Sequence, residues 1–328
     1  MSILTQTAIR TFRKCPRLYN YNYIQLYKPQ IVTGPLQFGT VWHQIREVWW
    51  KAPSKMRMSL ALTELSNISK DPDLELDEFI LAKLMVMLRG YHERWADYID
   101  SLMIVGVEVQ FEIPLINPRT IRGSRIYTIQ GKLDAVIREK DRLWMVEEKT
   151  AGEDLKPESP YWRRLEIDPQ CSIYFDAIKQ IYSEEPAGIM YFVNVKPQHK
   201  PLRETPDIIK KYKKGTNILY AGQRAEAETA PEYAMRLSEA VAEDPERYYQ
   251  MMHVSRLPQD IYESQIDVWD TAKAIREAEK SGVWLRNPDS CIHAFGSTCS
   301  FLPVCANRAS ISDTSLYRKS TEAHEELK

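Results

Sequence analysis

Apolar positions recur every three to four residues in several stretches of this chain, and every second residue through its centre. The spacing predicts a helix over 36–51, where Phe38, Val41, Trp42, Ile45 and Trp49 share a face. A longer helix is predicted over 76–100, with Leu81, Leu84, Met85 and Leu88 on its apolar side. Residues 4–27 are helical and aromatic in pattern, with Tyr19, Tyr21, Tyr23 and Tyr27 following a Cys15-Pro16 step. The period then shortens. Residues 103–116, 124–138 and 142–149 alternate with β-branched residues between Pro, Arg-Gly and charged turns, which predicts three strands. A helix is expected at 159–182 and a fully apolar strand at 187–195. Residues 196–231 are polar, a loop or a strand pair; 246–256 form a weak strand pattern and 258–281 a helix.

Three strands, a helix and a further strand make an α/β core with a mixed sheet and helical material on its N-terminal side. No repeat or linker interrupts the chain. The expected organisation is one domain over 1–308, with a helical segment 1–100, a core 101–197 and a helical segment 198–308. Residues 309–328 are expected to form a polar tail.

Charge narrows the functions open to such a chain. It has 328 residues, with 44 Lys and Arg against 45 Asp and Glu, a formal net charge of -1. That excludes a uniformly basic nucleic-acid coat but allows a local basic groove. No apolar run approaches the roughly 18–20 residues of a membrane span, and the N-terminus lacks a signal-peptide core. A cytoplasmic location without membrane association is expected. The five cysteines are then not expected to form a disulfide framework.

The central strands carry the candidate chemistry. In L-W-M-V-E-E-K-T (143–150), strand alternation puts Met145, Glu147 and Lys149 on one face and Trp144, Val146 and Glu148 on the other. Asp134, in G-K-L-D-A-V-I, lies beside Glu147 if the two strands pair through the turn at Glu139-Lys140-Asp141. Two carboxylates there suit Mg²⁺ or Mn²⁺, and an adjacent lysine can neutralise charge developing on a phosphodiester. A cross-strand salt bridge is the plainer reading of the same residues. His43 on the 36–51 helix, and Gln170 with Tyr174 four apart on a helical face, are further polar candidates.

In order along the chain, Gly39 with His43, Gly131 with Asp134, Glu147 with Lys149, and Gln170 with Tyr174 match a known series. The chain resembles the RecB-type nucleases of the PD-(D/E)XK superfamily. It is similar in particular to their iron–sulfur branch, which includes the AddB nuclease domain, CRISPR-associated exonucleases and related phage exonucleases. The likeness runs from residue 2 to about residue 308. It implies a restriction-endonuclease-like fold and a metal-dependent DNA exonuclease. His43, Asp134, Glu147 and the backbone carbonyl of Glu148 would hold Mg²⁺ or Mn²⁺. Lys149 would orient the attacking water, and Gln170 and Tyr174 would position the lysine or the phosphate. Glu47, one turn after His43, is a further acid near that set. The resemblance also implies a [4Fe–4S] cluster on Cys15, Cys291, Cys299 and Cys305. Cys299 and Cys305 keep the family spacing, whereas Cys291 and Cys299 have seven residues between them where many members have two. Structural zinc, with His293 as a substitute ligand, is the competing reading of these positions. Cys171 is left over as a small buried residue.

Two basic groups could contact DNA phosphates: Arg10, Arg13, Lys14 and Arg17 around Cys15, and Lys210, Lys211, Lys213 and Lys214 around Tyr212. A solvated charged face is the alternative for both. The expected substrate is single-stranded DNA or DNA ends, in recombination, repair or spacer processing, in a bacterium or a phage-infected cell. No G-x-x-x-x-G-K-[ST] phosphate loop is present. Processive resection would therefore need a helicase or recombination partner, or a homo-oligomer. A DNA-end-binding iron–sulfur scaffold with weak catalysis is the alternative function, and a restriction-type endonuclease a third.

Overall fold

The computed structural model describes the chain except residues 31–33, 72, 73, 75, 153, 154, 293–296 and 328, and the side chains of 34–36. Strand β1 (Ser2–Leu4) leads into α1 (Gln6–Lys14), capped by the Thr5 hydroxyl, and then the short α2 (Pro16–Tyr19). A π-helical turn, Asn20–Ile24, and β2 (Tyr27–Pro29) complete the N-terminal segment. Helices α3 (Gly34–Lys51), α4 (Arg57–Ile68) and α5 (Glu78–Asp100) follow. Next come the long strands β3 (Met103–Asn117), β4 (Arg122–Glu139) and β5 (Arg142–Ala151). The crossover to β6 (Gly188–Val195) carries α6 (Pro160–Arg163) and α7 (Pro169–Tyr182). The chain continues through α8 (Ala230–Glu243), α9 (Pro245–Tyr248), β7 (Tyr249–Val254), α10 (Pro258–Ser281), α11 (Leu302–Cys305) and β8 (Tyr317–Lys319).

The sheet is mixed, as the sequence predicts. Its order is β1-β4-β5-β6-β7, with β3 on the other edge of β4. Strands β5 and β6 are parallel, which demands the helical crossover. Strand β6 is buried along its whole length, consistent with its unbroken apolar run. Helices α1, α7 and α10 pack together on the face that carries Glu147. Helices α3, α4, α5 and α8 pack on the other face, where Trp95 of α5 meets Phe192 of β6 edge-on at 5.2 Å. Trp42, Ile45 and Trp49 are fully buried on α3, as their spacing predicts.

The expected helix at 159–182 is broken. After α6 a 3₁₀ turn, Arg164–Ile167, runs into an extended Asp168, and α7 starts afresh at Pro169. The reason is local. The Asp168 carboxylate accepts from the Gln170 and Cys171 amides, and a proline suits the first helical position. The polar stretch 196–231 is mostly irregular, with one isolated antiparallel bridge, Tyr212 to Leu219. Helices α4 and α8 are additional to the expected elements. Within 309–328, β8 pairs antiparallel with β2, and Tyr317 is buried. Among the described residues, no helix is long and apolar enough to cross a membrane.

Candidate metal-dependent active site

A two-residue hairpin sets the first two carboxylates. Glu139 pairs with Arg142, and the turn residues Lys140 and Asp141 take φ of 50° and 63°. Left-handed conformation at both turn positions is what a tight hairpin with matching twist requires. From that turn the register runs back to Ala135 opposite Val146, so the next step sets Asp134 opposite Glu147. There the ladder gives way to side chains. The Glu148 amide donates to Asp134 Oδ2 at 2.7 Å.

Beyond Asp134, the same edge of β4 is open until β1 pairs with Tyr127–Ile129. Helix α7 fills the gap. The Tyr174 hydroxyl donates to the Lys132 carbonyl at 3.0 Å, satisfying an acceptor that lies between the two pairings. Gln170 Nε2 contacts the Tyr174 hydroxyl at 2.6 Å and Glu147 Oε1 at 2.8 Å. Glu147 Oε1 also receives Lys149 Nζ. Gly131 is needed here, because a Cβ would come within 2.4 Å of the Phe111 ring. Phe111 crosses the glycine backbone and meets Tyr174 edge-on at 6.0 Å.

His43 of α3 completes the set, with Nδ1 3.9 Å from Asp134 Oδ1. His43, Asp134, Glu147, Lys149, Gln170 and Tyr174 all line one cleft. Glu47 lines it too and forms an i,i+4 ion pair with Lys51. Sequence reasoning missed Glu108 and Lys132, which share the cleft wall and form an ion pair at 2.5 Å.

Burial dominates the titration of the cleft. It pushes Asp134 and Glu147 each up to about 7, against the lowering effect of the Lys149 ammonium. Burial also lowers His43, and the Lys149 cation adds to that. Burial works against the charge on Lys149 as well, but the Glu147 and Asp134 carboxylates outweigh it and raise its pKa. One imidazole nitrogen and two carboxylates are a suitable donor set for Mg²⁺ or Mn²⁺. Among the described residues, no group of three His, Cys, Asp or Glu side chains is already arranged around an ion position. The Glu147 carboxylate is instead turned onto Lys149 and Gln170.

With their pKa values raised in the fold, Asp134 and Glu147 stabilise the metal-free protein below the ordinary carboxylate range. That contribution is lost as pH rises through about 7. A divalent ion must displace the same protons. Mn²⁺ affinity is expected to rise between pH 6 and 8 with proton release, which calorimetry in buffers of different ionisation enthalpy would measure. Affinity independent of pH over that range would contradict this assignment.

Glu148 takes the opposite face, as alternation predicts. It is buried and bound by Arg46, by the Tyr91 hydroxyl at 2.7 Å and by Trp50 Nε1 at 3.3 Å. Arg46 also donates to the Tyr91 hydroxyl at 2.6 Å, and its guanidinium lies 3.5 Å from the centre of that ring. Arg46 sits three residues after His43, so one buried ion pair ties the histidine helix to the strand of Glu147 and Lys149. Sequence reasoning missed Arg46 because its partner is 102 residues away.

The four remote cysteines gather at the junction of the chain ends. Cys15 lies between α1 and α2, Cys291 follows a 3₁₀ turn, and Cys305 ends α11. The Cys299 amide donates to the Cys291 carbonyl at 2.8 Å. Burial raises the Cys299 thiol, and Cys291, Cys305 and Cys15 each raise it further. Among the described residues, no three of these thiols are arranged as a metal site. Around them Tyr21, Phe301 and Tyr317 form a small cluster separate from the main core. Asn287 Nδ2 to the Lys14 carbonyl and the Arg17 amide to the Leu285 carbonyl close the junction. His293 lies outside the described residues. Cys171 is buried in α7, and burial raises its thiol to about 12.

The basic groups divide. Arg10 and Arg13 line a groove next to the cleft, sharing Gln6, Thr7 and Gln170 with it. Asp260, Glu263 and Asp267 line that groove too, so it is not uniformly basic. Lys14 and Arg17 belong to the cysteine junction, where Arg17 Nε donates to the Trp284 carbonyl. Lys210 is paired with Glu204 and Asp207. Lys210, Lys211, Lys213 and Lys214 do not line the cleft.

A family model described as the PD-(D/E)XK nuclease superfamily matches residues 3–306. No curated protein matches the chain. Among solved structures, one from Eubacterium rectale named "Putative exonuclease" is 9% identical. The match covers 94% of this chain and 88% of that one, with a TM-score of 0.48. The structure of SSO0001 is 14% identical, with 74% of each chain covered and a TM-score of 0.26.

Proposed function

Because the chain belongs to the PD-(D/E)XK nuclease superfamily, we propose that it is a metal-dependent DNA exonuclease acting on single strands or ends. The observation that carries this is the convergence of Asp134, Glu147, Lys149, His43 and Gln170 on one cleft. Members of the superfamily use divalent metals such as Mg²⁺ or Mn²⁺. Here His43, Asp134, Glu147 and the Glu148 carbonyl would hold the ion. When bound, such an ion lowers the pKa of a coordinated water and offsets charge on the phosphate. Lys149 then offsets negative charge building on the phosphate oxygens and orients the nucleophile. Gln170 and Tyr174 fix the Glu147 carboxylate and the β4 backbone, so the acids keep their separation as substrate enters.

A four-thiolate [4Fe–4S] cluster on Cys15, Cys291, Cys299 and Cys305 is the second part of the reading. Its support is the chemistry of the donor set, four cysteines from the two chain ends, where a cluster would staple both segments. Cys299→Ala is expected to give colourless protein lacking iron, with reduced solubility and little nuclease activity. Iron content and visible absorption after anaerobic purification check this; stoichiometric zinc in the wild type would contradict it.

Linear and circular single-stranded DNA, incubated with Mn²⁺, Mg²⁺ or EDTA, test the function. Loss of the linear strand alone, and only with metal, is the expected result. Cleavage of circles would point to an endonuclease. Binding without cleavage under any metal would point to a DNA-end-binding scaffold.

A further inference from the structure

Strand β3 holds an anomaly beside the metal site. Glu108 has φ of 55°, a left-handed conformation that a non-glycine residue seldom adopts inside a strand. On either side of it, Val107 pairs with Ala135 and Val109 with Leu133. Glu108 therefore sits opposite Asp134. Its carboxylate lines the cleft and lies on Lys132 Nζ at 2.5 Å. Strain of this kind persists where the surrounding structure needs the side chain in one place.

Lys132 is two residues from Asp134 on the same strand, so both side chains share the cleft face. Its backbone is held by the Tyr174 hydroxyl, which also meets Gln170, the partner of Glu147. The lysine is thus referenced to the metal site through its main chain and through Glu108. Its side chain keeps 22% exposure, against 13% for Glu108, so the ammonium can be reached from the cleft.

We propose that Lys132, aimed by the strained Glu108, binds a backbone phosphate of the DNA strand next to the cleavage position. The identity of the ligand rests on the nuclease reading. Lys132 is a substrate-binding residue, and Glu108 is a positioning residue that acts through it.

Binding of a fluorescent single-stranded oligonucleotide to the full chain in EDTA, between 50 and 200 mM salt, isolates the phosphate contact from cleavage. Lys132→Gln is expected to weaken binding about 3–10-fold at the lowest salt. It should also reduce the slope of log K against log salt by about 0.7. Lys132→Arg should restore the slope. With Mn²⁺, Glu108→Gln should lower kcat about tenfold without raising KM, because the lysine keeps its charge but loses its aim. A wild-type slope in Lys132→Gln, or an unchanged kcat in Glu108→Gln, would overturn the proposal. Absence of any cleavage by the wild type would instead sink the nuclease reading, and the metal-free slopes would still decide whether Lys132 binds phosphate.

Discussion

A Lys149→Ala enzyme is expected to cleave DNA about 100–1,000-fold more slowly than the wild type, while binding single-stranded DNA within a few-fold of it. Lys149 is the cation in direct contact with Glu147. Removing it takes away charge stabilisation where the phosphate would gain negative charge. It also removes the cation that opposes the burial-driven rise of both carboxylates. Metal binding should therefore weaken at pH 7 as well, which separates this variant from one that only loses substrate affinity. Single-turnover cleavage with saturating Mn²⁺ measures the first effect and calorimetry the second. Activity within tenfold of the wild type would remove Lys149 from the chemistry.

The largest expected loss of stability comes from the opposite face of the same strand. Glu148 and Arg46 are 3% and 2% exposed, so truncating either leaves a charge buried without its partner. Glu148→Ala is expected to destabilise the fold by about 3–5 kcal/mol. That is a large part of the roughly 5–15 kcal/mol that holds a typical domain. Replacing both residues with apolar ones, Arg46→Met with Glu148→Leu, should recover much of it, because no orphaned charge remains. Urea denaturation of the three variants checks this. If the double variant recovers stability but cleaves poorly, the ion pair sets the position of α3 against β5. A Glu148→Ala protein as stable as the wild type would show that the pair contributes little.

What the sequence made legible is what local periodicity governs. Alternation in β5 separates Glu147 and Lys149 from Glu148, and the structure keeps that separation. Helix α10 has the expected bounds, because a proline opens it and Gly282, with φ of 69°, closes it. Two misses had local signals. Asp168-Pro169 is a helix start, yet the apolar period ran across it. Thr229 and Glu232 form the capping box that opens α8, at the end of the stretch 196–231 read as a loop or a strand pair. The other misses had no local signal. Arg46 looks like a solvent-facing residue of an amphipathic helix until Glu148 arrives from β5. Glu108 is one acid in an alternating strand, and only its φ and its position opposite Asp134 distinguish it. Strands β2 and β8 are three residues each and exist only through pairing across nearly the whole chain. In the C-terminal stretch, Thr5 donates to Glu326, and Glu325 and Glu326 line the cleft.

The cleft is proposed to be a divalent-metal site that cuts DNA. End-labelled single-stranded DNA, incubated with wild-type protein and with Asp134→Asn in Mn²⁺ and in EDTA, tests that directly. Degradation by the wild type in Mn²⁺ alone, lost in Asp134→Asn, is the predicted result. Degradation that survives EDTA, or that Asp134→Asn carries out as fast as the wild type, would contradict it.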